Sequence, residues 1–290
     1  MKFFYSVFLI SLLVFPVMPT AAKAPVWKVS KGDDYVYLGG TIHVLSKSDY
    51  PLPEAFETAY NDVDEIVLEV DTVALAAPEV QERVLNAMSY QDHRSLSNVL
   101  ARETYSELDQ LLKSKGLPIA VFDRFTPAAA MMTLIQYELQ KLGLIVSEGV
   151  DAHFGARAIE DKKELIFLET FEQQLDFFEV MNQLEPNLVI KSGIKDIERL
   201  DNFWNDLLNA WRTGDLAQLE RIGIVEMKRD FPSMHQTILV NRNDNWLKQI
   251  DTMMDDEDKE FILVGALHMA GEEGFIQRLQ VAGYTVSQLD

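Results

Sequence analysis

The chain has 290 residues, 48% of them hydrophobic and 25% charged, a balance that belongs to a folded protein of one or two domains and excludes a disordered one. A formal charge of −20 repels nucleic acid and anionic lipid, and the chain carries no basic cluster, phosphate loop or dinucleotide fingerprint, so nucleic-acid and nucleotide partners are not expected. Cysteine is absent, which excludes disulfides and thiolate zinc; any metal would be held by histidine, carboxylate or backbone oxygen.

The first 22 residues differ from the rest. Lys2 precedes an apolar run from Phe3 to Phe15, and Thr20 and Ala22 supply small residues at the −3 and −1 positions of a cleavage site. This is the pattern of a secretory signal peptide, cut after Ala22, and the run is shorter than the ~20 residues of a membrane span. No cysteine follows for lipid attachment. The expectation is export across the inner membrane to the periplasm, with no stable anchor, and one domain over residues 23–290.

Val26-Trp27-Lys28-Val29-Ser30 and Tyr35-Val36-Tyr37-Leu38-Gly39 alternate as the strands of a hairpin, and Pro51-Leu52-Pro53 opens a helix. Residues 65–71 form the next strand, apolar on both faces at Ile66-Val67-Leu68 as a central strand is. Helical spacing dominates from 78 to 143, with one helix over 97–112 and another over 128–141 started by Thr126-Pro127. A short helix over 149–159 leads to a strand at 164–169. Helices then cover 172–184, 194–213, 216–227 and 234–253, before a closing βαβ-like unit of strand 261–265, helix 274–282 and strand 284–286. The fold class is therefore α/β (α+β): a central mixed sheet from both chain ends with a large helical insertion.

Two strands end alike, in Gly40-Thr41-Ile42-His43 and Gly265-Ala266-Leu267-His268. A strand running into a glycine delivers the next polar side chain to the sheet edge, where open α/β folds bind ligands, and Gly40 and Gly265 would let backbone approach one. With only five histidines in the chain, two in this setting point to metal ligands or general bases. Glu69 and Glu169 each end a strand after leucine; as parallel neighbours they would join His43 and His268 at one edge, a set suited to a divalent metal or to acid/base chemistry. Arg242 can pair with a carboxylate or stabilise an oxyanion. The aromatic stretch 171–178 reads as core, and His93, His153 and His235 receive no role. No nucleophile-elbow or His-Glu-x-x-His motif occurs.

Gly39-Gly40-Thr41-Ile42-His43, Val67-Leu68-Glu69-Val70-Asp71, Glu148-Gly149-Val150-Asp151, Leu168-Glu169-Thr170-Phe171-Glu172-Gln173-Gln174, Arg242-Asn243 and Val264-Gly265-Ala266-Leu267-His268 occur in this order. Together they resemble the TraB/PrgY/GumN family, which includes the Tiki metalloproteases, over nearly the whole chain after residue 22. The resemblance implies a fold shared with erythromycin-esterase and ChaN-like proteins. It also implies a peptidase site using a divalent metal (Mn, Co or Zn), with His43, His268 and Glu69 as ligands and Glu69 (as the base that activates water), Arg242 and Glu169 as catalytic groups, acting on a peptide or small-molecule substrate. ChaN-like relatives bind haem, so the alternative is a periplasmic protein that captures peptide or haem without turnover.

Overall fold

The computed structural model describes residues 23–290 except 72, 75, 76 and 256; the expected signal peptide, residues 1–22, lies outside them. Six strands form one mixed sheet in the order β4-β3-β5-β2-β1-β6. Strands β1 (Val26–Lys31) and β2 (Asp34–Thr41) make the expected hairpin, turned at Gly32 with a φ of 70°. Helix α1 (Glu54–Asn61) leads to β3 (Glu65–Leu68). The helical insertion follows as α2 (Pro78–Met88), α3 (Leu96–Val99), α4 (Arg102–Ser114) and α5 (Pro127–Lys141). Helix α6 (Val150–Asp161) returns the chain to the sheet as β4 (Glu164–Phe167).

A second helical run follows: α7 (Phe171–Asn182), α8 (Pro186–Glu198), α9 (Leu200–Arg212), α10 (Leu216–Leu219), α11 (Val225–Asp230), α12 (Pro232–His235) and α13 (Asn241–Met253). The chain closes with β5 (Glu260–Gly265), α14 (Phe275–Val281) and β6 (Thr285–Gln288). Strand β5 lies parallel between β3 and β2, and β6 pairs antiparallel with β1. The closing unit is thus a crossover between two parallel strands with β2 and β1 between them. Its return brings the ends together: Ala24 N donates to Leu289 O at 3.0 Å.

Both faces of the sheet are covered, which is why its central strands read as continuous apolar runs. Phe56, Tyr60, Phe154 and Trp211 from α1, α6 and α9 pack with Phe261 on one face. Trp246, Ile250, Phe275 and Leu279 from α13 and α14 cover Leu38, Val67, Ile262 and Val264 on the other. A third core, with Leu96, Leu108, Leu112, Met131, Leu134 and Ile190, belongs to the insertion and α8. No helix of the described residues is long and apolar enough to cross a membrane.

The structure divides several expected elements. The helix read over 97–112 is two: Ser95 closes a capping box on α3, and Leu100 is extended (ψ 147°) before α4 begins. The span 194–213 is likewise two helices meeting at Arg199, the first starting earlier at Pro186. Wide π turns, Glu220–Ile224 and Gln236–Val240, interrupt the last two helical spans without breaking them. Strand β3 stops at Leu68 rather than at residue 71. Beyond it the Gly265 amide of β5 donates to the Glu69 side chain, so the ladder gives way to a side-chain contact.

Candidate functional site

Strands β2, β3, β4 and β5 run parallel, so their C-terminal ends share one edge, the place where such sheets bind ligands. Each end delivers one polar side chain: His43 two residues past β2, Glu69 directly after β3, Glu169 two residues past β4, and His268 from a 3₁₀ turn after β5. The two glutamates are neighbours as expected, and the Glu169 amide donates to Glu69 O at 3.0 Å.

Arg242 lies at the middle of this set, only 9% exposed. Its Nε donates to Glu169 Oε2 at 3.0 Å, and its Nη2 donates to Glu169 Oε1 at 2.7 Å and to Glu69 Oε2 at 2.5 Å. Nη1 donates to His268 Nε2 at 3.2 Å and to Ile238 O at 3.4 Å. A guanidinium has five N–H donors, and all five are engaged. The guanidinium lies over the Trp246 and Phe177 rings, with centroids 4.3 and 4.8 Å away. A π turn, Gln236–Val240, runs directly into α13, whose first turn buries both Arg242 and Asn243, and such turns recur at functional sites.

His268 is 3% exposed and packs against Trp246, centroids 4.7 Å apart. Its Nδ1 bonds Asn243 Oδ1 at 2.6 Å, and Asn243 Nδ2 donates to Glu273 O at 2.8 Å, which fixes the amide. The ring therefore carries its proton on Nδ1, and Nε2 accepts from Arg242. Burial pushes this imidazole down to about 3; Glu69 pulls it up by less, while Arg242 and His43 add to the lowering. His268 is neutral near pH 7.

His43 is built differently. The Ile42 carbonyl accepts from Val150 N at 3.0 Å, and Leu45 and Ile145 exchange backbone bonds, pinning the segment to the start of α6. Only a glycine fits beneath it: a Cβ on Gly149 would lie 2.3 Å from His43 O. The side chain is 57% exposed, and its Nδ1 bonds Asp151 Oδ1 at 2.9 Å. Lost hydration would lower this imidazole. The Asp151 carboxylate, as charge and as hydrogen-bond partner, outweighs that with the help of Glu69 and against Arg242, raising it to about 9. Its Nε2 has no hydrogen bond among the described residues.

Glu69 accepts from Gly265 N at 2.7 Å through Oε1 and from Arg242 through Oε2. Burial would raise its carboxyl, but Arg242, the two histidines and the Gly265 amide hold it at about 2. Glu169 accepts from Arg242 and from Gln174 Nε2 at 3.0 Å, yet burial dominates and its carboxyl is raised. The centre is thus a closed network beside one exposed imidazole. They meet over Gly265, whose missing Cβ would lie 3.4 Å from Glu69 Oε1, 3.5 Å from His43 Nε2 and 3.6 Å from His268 Cδ2.

Gly40 is placed elsewhere: a Cβ there would meet Ala266 at 3.2 Å, so it serves strand packing, whereas Gly265 faces the site. Sequence reasoning gave Asp151 and Asn243 no role, although both stood in the quoted motifs; an acid or amide beside a site glycine or arginine was the available signal. The aromatic stretch read as core has no buried residue in α7, and its Phe177 lies over Arg242.

The donor set suits a divalent ion in kind: two neutral-capable imidazoles with Nδ1 tied by a partner, and a carboxylate. The arrangement does not suit it. Among the described residues no three histidine, aspartate or glutamate side chains stand so as to hold a metal, and Arg242 takes up His268 Nε2 and Glu69 Oε2.

A parallel-edge α/β fold with a buried arginine–carboxylate–histidine network beside an exposed histidine defines the class of this protein. The TraB/PrgY/gumN family profile matches residues 25–288, and the chain belongs to that family. It is similar to the uncharacterized protein YbaP of Escherichia coli (strain K12), 23% identical over 260 residues that span 86% of this chain and 89% of that one. The YbaP of Shigella flexneri matches with the same identity and coverage. No solved structure matches the chain.

Proposed function

We propose that the protein is an exported hydrolase of peptide or related small-molecule substrates, with His43 as its reacting group. One observation carries this: within the network every nitrogen of Arg242 and His268 is already bonded, whereas the exposed His43 has no hydrogen bond at Nε2 among the described residues, and that atom and Glu69 Oε1 both border Gly265. Asp151 holds the His43 tautomer with Nε2 as the basic nitrogen. In its neutral form that atom takes the proton of a water attacking a carbonyl brought over Gly265, and as imidazolium it returns the proton to the leaving group. Glu69, held ionised, favours the imidazolium.

A second reading, a peptidase dependent on Mn, Co or Zn at His43, His268 and Glu69, draws support from the Asp151 and Asn243 bonds, which tie each Nδ1 and leave Nε2 as the ligating nitrogen, as the hydrogen-bond partners of metal-bound histidines do. It requires Arg242 to leave His268. The deciding experiment digests a peptide library with chelator-treated protein, then repeats it with each metal. Turnover in chelator that vanishes in His43→Ala is expected. Turnover only with added metal selects the second reading, and a Soret band on haem titration without any turnover would show a capture protein instead.

A further inference from the structure

We infer that Arg242 is the built-in cation of this centre, a positioning residue that fills the place a divalent metal would need between His268 and Glu69 and that offers no donor to substrate. The inference goes beyond the hydrolase reading and stands whether or not the chain turns anything over. A metal bound to His268 Nε2 and Glu69 would lie about 2.0–2.2 Å from each. Arg242 Nη1 is 3.2 Å from that nitrogen and Nη2 2.5 Å from Glu69 Oε2, so the guanidinium itself occupies the ground between them.

The arginine is not free to step aside. Glu169 grips it through two parallel bonds, Ile238 O takes a further N–H, and the guanidinium lies over the Trp246 and Phe177 rings. Glu169 is in turn held by Gln174. The chemistry explains why two glutamates converge on one arginine: one orients the guanidinium, and the other is oriented by it toward Gly265. With five donors bound to protein acceptors, polarising a substrate carbonyl is a task left to other groups.

Zinc titration of the purified wild-type protein tests this, with the His268 ring nitrogens followed by long-range ¹H–¹⁵N NMR. The expected spectrum has the proton on Nδ1 and an Nε2 signal that does not move up to several equivalents of Zn²⁺. A saturable one-to-one shift of His268 Nε2 in the wild type overturns the inference. Arg242→Lys keeps the charge but has three donors for five acceptors, which releases Nε2. In the folded variant zinc should then shift His268 at least tenfold more tightly than in wild type. A folded variant with no such gain also overturns it, and should the variant not fold, the wild-type titration decides alone. Peptide turnover is not read here, so failure of the hydrolase reading is seen separately.

Discussion

The two matched histidines differ in burial and in the partner each one holds. His268 leans on an amide oxygen and is buried; His43 leans on a carboxylate and is exposed. The first is driven down to about 3 and the second up to about 9, so near pH 7 only His43 is charged. The groups that face it are Asp151 from α6, Glu69 after β3 and Arg242 from α13. If its neutral form is the base, kcat/KM of the chelated protein should rise with pH and level off above about 9. Asp151→Asn should keep the contact and remove the charge, moving that midpoint down toward the ordinary 6.5; an unmoved midpoint would assign the titration to another group. For stability the sign is the same. The raised value means the contribution of His43 is full below 6.5 and is lost as pH rises through about 9. The spacing of the Gly-x-x-His pair made both histidines legible, but it could not tell them apart, because their partners come from distant helices.

At the scale of the element, glycines mark where chain must pass close to chain, and two of them have opposite consequences. Gly265 has ordinary backbone (φ −48°, ψ 133°), and its added Cβ would meet Glu69, His43 and His268 at no less than 3.4 Å. Gly265→Ala should fold as stably as wild type, or up to about 1 kcal/mol more so, while turnover falls about a hundredfold because the methyl stands where the reacting atoms meet. Gly149→Ala should do the reverse. A Cβ 2.3 Å from the His43 carbonyl forces α6 and the His43 segment apart, at about 1–3 kcal/mol by thermal unfolding. Equal loss of stability in both variants would refute the distinction. The strand ends were legible from apolar runs that stop at a glycine or a glutamate. The helical boundaries were less so: Arg199 and Leu100 look like interior helix residues, and only the caps and turns formed by the folded chain divide those spans. The π turn that precedes Arg242 and Asn243 has no composition of its own, so the arginine was visible as a candidate while its place at the centre of the network was not.

On the scale of the whole molecule, three cores share the work unequally. The two that sandwich the sheet are continuous with the site, whereas the third belongs to the helical insertion and α8. Native-state hydrogen exchange should find α4 and α8 opening as a unit at lower free energy than β2, β3 and β5; simultaneous exchange of both groups would refute the separation. The sheet of both chain ends and the helical block between them were readable from order alone, since apolar strands occur only before residue 70, near 165 and after 260. That order has a consequence for how the protein comes into being. Strand β5 is the keystone between β3 and β2, yet it is nearly the last segment made, so the β1–β2 hairpin and the β3–β4 pair stay unjoined until most of the chain exists. His43, Glu69 and Arg242 cannot meet until the final thirty or so residues arrive. A chain that lacks β5 therefore lacks the assembled edge, and the site is completed only by the last part of the chain.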